Sequence, residues 1–302
     1  MVRLKNPLLS FDAHGTVGDS VTFQSSTRRK FARQKPRLPY SLTLPQQYQR
    51  WLYEDYAHLW LAQSAATRQE YREAGSRFHL TGYQYYMKYM LTNLPDIALM
   101  LRLDVISGGF TLDTSRNAHV GTVLGASLTP GAIAQGILLD GINDQVTIPY
   151  SPSLQPAEVS LEGFFKANPD VSILRDIFTN TTDGSGDHQN CHARIDMTTG
   201  KLFCRSGNGT ANTQVVSIQA VNDNILHHFC FTNDLVTCRV YLDGIENNTT
   251  PWTGGTLYTD ANLTRIGTMY GWFWGMIDNL ILYNRVLDPI EVLRHSKRRY
   301  PV

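Results

Sequence analysis

Hydrophobic and polar residues alternate over a short stretch near the C-terminus, from residue 276 to residue 283. This pattern predicts a strand, in which successive side chains point to opposite faces. One face would carry Ile277, Asn279, Ile281 and Tyr283, and the other Met276, Asp278, Leu280 and Leu282. Both faces are largely apolar, which is typical of a strand inside a layered β fold. Asp278 lies in the middle of this strand, and a buried carboxylate needs a partner or a metal ion.

The period changes between residues 44 and 94, where aromatic residues recur at spacings of three and four. Pro45 suits the first turn of a helix. Ser64 is a candidate cap for a second helix that ends near Gly75. A third helix is predicted from Thr81 to the residue before Pro95. The aromatic stripe predicts that the three helices pack into a small core of their own.

Short apolar runs before and after the helical region predict strands. Residues 21–24 and 31–34 predict a small hairpin. The prolines at positions 36 and 39 end the strand pairing, because proline has no backbone N–H to donate. From residue 98 onward, alternating runs are separated by Gly, Asn, Asp, Thr and Pro, at the intervals expected for an antiparallel sandwich.

Composition places the chain among globular proteins, with 42% hydrophobic and 18% charged residues in 302. No apolar run approaches the roughly 18 residues that span a bilayer, and we expect no cleaved signal peptide. The net charge of +1 is unevenly distributed, because residues 1–40 carry eight Lys/Arg against two Asp. This predicts a basic docking arm, formed by Arg28, Arg29, Lys30, Arg33, Lys35 and Arg37. A solvated arm, or an arm docked on an acidic protein surface, is favoured over one that binds nucleic acid.

Four stretches resemble, in the same order, motifs of the laminin G-like branch of the concanavalin A-like jelly-roll superfamily. They are residues 112–122, 138–149, 227–244 and 262–294. Leu226 stands where the family usually has Trp, and Asn279 where it has Glu. The resemblance implies that residues 98–302 form a jelly-roll domain. The fold class is therefore mainly β, a concanavalin A-like antiparallel β-sandwich preceded by a hairpin and a three-helix module.

The N-terminal part resembles a small module of tailed-phage virion proteins, in residues 18–23, 29–35, 46–47 and 81–86. This resemblance implies that residues 1–97 anchor the chain to a virus particle and that the jelly roll is displayed as a head. The protein is then a non-enzymatic virion component whose partners are other virion proteins, with a homo-oligomeric assembly. The alternatives are a secreted or cell-surface carbohydrate-binding module and a glycosidase relative.

The family resemblance also implies a structural Ca²⁺ where the first and last strands meet. Carboxylate and carbonyl oxygens are the ligands that Ca²⁺ prefers, and the candidates are Asp278, Asp113 and Asp140. The alternative is that Asp278 accepts hydrogen bonds from loop N–H groups or pairs with Arg285.

Aromatic residues near one end of the domain are candidates for a glycan or protein contact: Trp252, Tyr270, Trp272 and Trp274. The alternative is packing at the edge of the sandwich, which is favoured for Phe273.

No catalytic motif is present in the sequence. It contains no G-x-S-x-G and no Walker A or G-x-G-x-x-G phosphate loop. Glu158 and Glu162 share a face, but their context predicts rim residues rather than a glycosidase pair. Cysteines 191, 204, 230 and 238 match no zinc spacing, and Cys238 is predicted to lie in the core, with the redox state left open.

Overall fold

The computed structural model describes residues 43–169, 175–180 and 186–299, together with the backbone of residues 15–17, 21–25 and 30–34. The chain divides into two compact units, Met1–Gln49 and Arg50–Val302. The predicted domain boundary at residue 97 marks the change from helices to strands, and it stays a prediction.

The first unit contains a three-stranded antiparallel sheet. Its strands are β1 (Gly15–Val17), β2 (Val21–Ser25) and β3 (Lys30–Gln34), paired in the order β1-β2-β3. The predicted hairpin corresponds to β2 and β3, which are antiparallel neighbours. Of the docking arm, residues 28, 29, 35 and 37 lie outside the described residues, and only the backbone of Lys30 and Arg33 is described.

Three helices follow: α1 (Leu44–Ala62), α2 (Ala65–Ser76) and α3 (Gly82–Asn93). Ser64 caps α2 as predicted, and Thr81 forms a capping box with Gln84 at the start of α3. Tyr56, Tyr86, Met87 and Met90 form a core of their own, with Trp60 and Tyr71 against it. The predicted aromatic helical core is therefore confirmed.

Two eight-stranded antiparallel sheets form the sandwich, which confirms the predicted fold class. The first sheet contains β4 (Ile97–Leu101), β7 (Ser127–Pro130), β8 (Gln135–Asp140), β10 (Val159–Ala167), β15 (His227–Asn233), β16 (Thr237–Leu242), β17 (Ile245–Pro251) and β19 (Trp274–Tyr283). The second sheet contains β5 (Phe110–Leu112), β6 (Val120–Leu124), β9 (Gln145–Ile148), β11 (Arg175–Thr179), β12 (His192–Ile195), β13 (Lys201–Gly207), β14 (Asn212–Ala220) and β18 (Thr264–Ile266). A fourth helix, α4 (Pro289–His295), follows β19.

The order of the first sheet is β17-β16-β15-β10-β19-β8-β7, with β4 also paired to β19. The order of the second is β14-β13-β12-β11-β18-β9-β6-β5. The core between them is continuous and includes Cys191, Cys204 and Cys238, so the prediction for Cys238 is confirmed. All four cysteines are buried thiols that form no disulfide.

A β-bulge interrupts the alternation predicted for β19. Asn279 and Leu280 lie opposite the single residue Gly163, and Asn279 takes a left-handed backbone conformation with φ of 49°. Ile277 and Leu280 consequently both face the core, although they are three residues apart. The predicted strict alternation is wrong because a bulge adds one residue and exchanges the two faces beyond it.

The outer face of the first sheet is covered in its middle, and Glu162 lies buried beneath this cover. Its carboxylate accepts hydrogen bonds from the Tyr283 hydroxyl at 2.8 Å and from His295 Nδ1 at 2.9 Å. His295 Nε2 lies 3.2 Å from Asp55 Oδ1, and Arg298 pairs with the same carboxylate of Asp55. The prediction that Glu162 lies at the rim is wrong, because α1 and α4 cover β10.

Opposite charges in this network hold each other in the ionised form. Burial lowers the pKa of His295, but the carboxylates of Glu162 and Asp55 raise it to about 9. Burial raises the pKa of Glu162, but the charge of His295 brings it well below its ordinary value. The pKa of Asp55 is likewise lowered, against the effect of burial, by Arg298 and His295. The network therefore ties α1 and α4 to the first sheet electrostatically.

We expect His295→Ala to lower the free energy of unfolding by about 3–5 kcal/mol, because it leaves Glu162 buried without its charged partner. Chemical denaturation at pH 6 measures this change. The matched control is His58→Ala, since His58 forms only a partly exposed pair with Asp288 at 3.1 Å and should change stability by about 0–1 kcal/mol. Equal effects of the two substitutions would contradict the assignment.

The same network predicts how stability depends on pH. The raised pKa of His295 gives stability that is complete below about 6.5 and is lost as pH rises through about 9. The lowered pKa values of Glu162 and Asp55 give stability that is complete above about 4.5 and is lost as pH falls. We therefore expect a maximum in the melting temperature between about pH 4.5 and 6.5, and a flatter profile for His295→Ala.

A candidate binding face on the second sheet

The strand register places one row of side chains across the outer face of the second sheet. Paired residues on neighbouring strands point to the same side. The row contains Phe110, Thr122, Thr147, Arg265, Thr179, His192, Arg205 and Gln214. The row faces away from the core, because the residues adjacent to its members along the strands, such as Val146, Ala193 and Cys204, are core residues.

Arg194 and Phe203 pair in the neighbouring row of the same face. The Arg194 guanidinium lies 4.2 Å from the centre of the Phe203 ring, which is a cation–π distance. The ring of Tyr270, from the loop between β18 and β19, lies 5.8 Å from Arg194 Cζ and 5.7 Å from Arg205 Cζ. Arg194, Phe203, Arg205 and Tyr270 together are named the arginine face.

A buried carboxylate holds the Tyr270 loop against the sheet. Asp176 Oδ2 accepts the backbone N–H groups of Tyr270 at 2.7 Å and of Gly271 at 2.8 Å. Asp176 Oδ1 lies 2.6 Å from His192 Nε2, and both side chains are fully buried. Asp176 thus fixes a loop and a neighbouring strand at once.

His192 lies beneath the arginine face as a neutral ring. Burial lowers its pKa, despite the hydrogen bond to Asp176. With Nε2–H donating to Asp176, the acceptor nitrogen Nδ1 faces Arg205 Nη2 at 3.5 Å. His192 therefore adds no positive charge to the face, and it is too deeply buried to reach a ligand.

Gln189 braces the arginine face from below. Its Oε1 accepts from Arg205 Nε at 2.7 Å, and its Nε2 donates to the Tyr270 hydroxyl at 3.0 Å. Arg205 Nη2 donates to the same hydroxyl at 3.3 Å. Arginine, glutamine and tyrosine thereby lock one another in position. Such an arrangement of rigid planar groups can bind a polar ligand but supplies no nucleophile.

The four predicted aromatic contact residues lie in different surroundings. Tyr270 belongs to the arginine face, and Trp272 is partly exposed on the same loop. Trp252 is a core residue, only 6% exposed, with Nε1 donating to Gly255 O at 2.8 Å. Trp274 opens β19 in the first sheet and is 38% exposed. Trp252 and the fully buried Phe273 therefore pack inside the domain, which is the alternative to a contact role.

The three carboxylates predicted to bind Ca²⁺ each make separate backbone contacts. Asp113 Oδ1 accepts from the backbone N–H of Met100 and of Ser115, both at 2.8 Å. Asp140 accepts from the backbone N–H of Ile142 at 2.8 Å. No group of three His, Cys, Asp or Glu residues within the described ranges is arranged to hold a metal ion.

Asp278 Oδ2 accepts the backbone N–H groups of Ala132 and Ile133, both at 2.9 Å, as the alternative reading expected. Its Oδ1 is buried without a hydrogen-bond partner among the described residues. Arg285, the other partner considered for it, pairs instead with Asp96 and Glu291. The calcium site stays a prediction.

Residues 140–293 match the family model of the concanavalin A-like lectin/glucanases superfamily. No curated protein sequence matches the chain. Among the helices of the described residues, none combines the length and apolar character needed to cross a membrane.

Several solved structures share the fold. The binding domain of Paraclostridial Mosquitocidal Protein 1 is 16% identical with a TM-score of 0.53, and the match covers 67% of this chain and 52% of that one. A structure of botulinum neurotoxin type C is 12% identical with a TM-score of 0.56, and the match covers 70% of this chain and 53% of that one. This chain thus spans about half the length of these two toxin chains.

Domain 4 of AbnA, an extracellular GH43 arabinanase from Geobacillus stearothermophilus solved with arabinotriose, is 18% identical with a TM-score of 0.54. The match covers 67% of this chain and 98% of that domain. At these identities the likeness concerns the fold alone.

Asp278→Asn separates the hydrogen-bonding role of Asp278 from the metal role. Burial raises the pKa of Asp278 to about 8, so the folded protein holds a proton that the unfolded chain releases near pH 4. The contribution of Asp278 to stability is therefore complete below about pH 4 and is lost as pH rises through about 8. We expect the melting temperature of Asp278→Asn, relative to that of the parent protein, to be higher at pH 8 than at pH 5.

A calcium site would give the opposite result. A chelator would then lower the melting temperature of the parent protein, and Asp278→Asn would be the less stable protein at pH 8. Differential scanning calorimetry with and without EDTA at both pH values distinguishes the two outcomes.

Proposed function

Because the chain belongs to the concanavalin A-like lectin/glucanase superfamily, we propose that its sandwich is a non-catalytic carbohydrate-binding domain. We propose the arginine face as its glycan site. The observation that carries the proposal is the partly exposed Tyr270 ring, which lies within 6 Å of two guanidinium groups on the outer face of the second sheet.

The two outer faces of the sandwich differ in what lies on them. The first sheet carries the buried network of Glu162, and Arg299 also packs 4.6 Å over the Phe164 ring on that side. The second sheet carries partly exposed polar and aromatic groups at Arg194, Arg205 and Tyr270. A ligand therefore has access to the arginine face, whereas the middle of the first sheet is covered.

The groups on the arginine face suit a sugar. The C–H groups on one side of a pyranose ring are apolar and pack on an aromatic ring, while its hydroxyls take hydrogen bonds from planar donors at the edge. Tyr270 offers a ring and a hydroxyl, and Arg205 offers donors beside it. Arabinotriose in the AbnA domain, and the two ganglioside molecules named for botulinum neurotoxin type C, support a glycan as the ligand class.

A binding role is favoured over glycosidase chemistry by the state of the carboxylates. Asp176 is fully buried under three hydrogen bonds, and Glu162 lies under the helices of the opposite face. A glycosidase needs two carboxyl groups that reach the same sugar from opposite sides. Neither of these carboxylates reaches the arginine face.

The placement of the protein on a virus particle remains a proposal, because it depends on the N-terminal stretch alone. It would make the arginine face the outward surface of a decoration, fibre or spike protein, with host glycans as ligands. The alternative location, secreted or at a cell surface, uses the same face. Co-purification with particles, or a defined homo-oligomer by mass photometry, would support the virion placement.

A glycan array followed by titration calorimetry tests the proposed site. We expect Tyr270→Ala to weaken the binding of the best glycan by about tenfold or more, because the stacking ring is removed. Tyr53→Ala is the matched control, since Tyr53 is an exposed tyrosine on α1. Trp272→Ala shows whether the ligand also reaches the neighbouring aromatic residue. Unchanged affinity in a folded Tyr270→Ala protein would refute the site.

A further inference from the structure

We infer that the arginine face selects acidic glycans, and that a carboxylate or sulfate group of the sugar binds between Arg194 and Arg205. This inference rests on the proposed function and names its ligand class. The shared chemistry is an oxyanion with two or three oxygens, which matches the planar fork of a guanidinium.

The first step is the charge of the face. Arg194, Arg205 and Arg265 all point outward from the second sheet. Arg265 and Arg205 occupy the same cross-strand row, three strand spacings of about 4.8 Å apart. No carboxylate of the described residues forms an ion pair with Arg194 or Arg205. The face therefore carries positive charge that is not neutralised by a direct ion pair with those residues.

The second step concerns the two nearest carboxylates. Asp176 is buried and accepts three hydrogen bonds, from His192 and from the Tyr270 loop. Asp196 caps its own turn, with Oδ1 accepting from the backbone of Thr198 and Thr199 at 3.1 and 2.9 Å. Both acids are thus engaged in holding local structure. Their charges act on Arg205 and Arg194 from a distance, but neither acid forms a direct ion pair with an arginine of the face.

The third step is that the arginines have given up part of their hydration. Arg194 Nε is buried and has no hydrogen-bond partner among the described residues. Burial lowers the pKa of Arg205, which indicates that water has been removed from its guanidinium, although arginine stays charged at any physiological pH. A partly dehydrated cation without a directly paired anion is costly, and a bound anion would relieve that cost.

The fourth step is preorganisation. Phe203 supports Arg194 from below, and Gln189 and Tyr270 fix Arg205 through its Nε and Nη2. Both guanidinium groups lie within 6 Å of the Tyr270 ring centre. A sugar that contacts the exposed part of Tyr270 would therefore lie close to two fixed cations. Little side-chain entropy remains to be lost on binding, which favours a specific contact over diffuse attraction.

Matched pairs of oligosaccharides test the inference. One arm compares oligogalacturonate with its methyl ester, and the other compares a sulfated galactan oligosaccharide with its desulfated form. We expect the acidic member of at least one pair to bind about ten- to a hundredfold more tightly, the effect expected of a charged hydrogen bond. The preference should weaken as salt is raised. The arm that shows the preference identifies the anion.

Substitutions assign the preference to the two arginines. Arg194→Gln and Arg205→Gln should each abolish most of the preference, with thermal melts confirming that both variants are folded. The control is Arg77→Gln, an exposed arginine at the end of α2, which should leave the preference unchanged. Arg194→Lys should restore part of it, because lysine keeps the charge without the fork.

The failure of the inference is distinguishable from the failure of the proposed site. Equal binding of acidic and neutral partners, or a preference that survives both glutamine variants, would overturn the inference. If Tyr270→Ala still weakened binding in that case, the glycan site itself would stand. Absence of binding by every member of both pairs would overturn the inference as well.

Discussion

The ion pair between Glu162 and His295 is the contact from which the arrangement of the sandwich follows. A carboxylate in the middle of a central strand cannot remain buried and charged without a cation beside it. The cation comes from α4, and Asp55 on α1 balances it from the other side. Satisfying Glu162 therefore requires that α1 and α4 cover the middle of the first sheet. The second sheet is then the one whose outer face carries partly exposed polar groups.

The second sheet also contains a buried carboxylate that is satisfied by nearby partners, but its partners position a different part of the protein. Asp176 is also a buried acid in a strand, and its partners are His192 and two backbone N–H groups of the Tyr270 loop. Here the partners hold a loop in place instead of a helix. Because this loop carries the Tyr270 ring, the buried carboxylate of Asp176 sets the position of a surface residue. The rigidity of the arginine face is thus a consequence of what lies beneath it.

Much of the fold is predictable from local patterns. The caps at Ser64 and Thr81, the hairpin strands and the alternating runs are decided by neighbours in sequence, and they were predictable for that reason. The bulge at Asn279 was not, because the residue that it faces, Gly163, is more than a hundred positions away. The burial of Glu162 depends likewise on cover from α1 and α4. Such long-range effects leave no periodic signal.

The arginine face shows the same limit. Tyr270 was predictable as an aromatic residue in a glycine-punctuated turn, but Gln189 was not, because its partners Arg205 and Tyr270 come from other elements. Arg194 and Arg205 alternate with core residues in β12 and β13, and this alternation is a signal that the sequence does contain.

An acid in an apolar strand turns out to be a poor guide to function in this protein. Glu162, Asp176 and Asp278 have this position in common, yet the first holds helices, the second holds a loop and the third caps a turn. The structure supplies partners for both oxygens of Glu162 and of Asp176, and for Oδ2 of Asp278. The outward arginines of the second sheet differ, because no acid among the described residues pairs with Arg194 or Arg205. For this reason the proposed ligand site rests on these arginines and not on the buried acids.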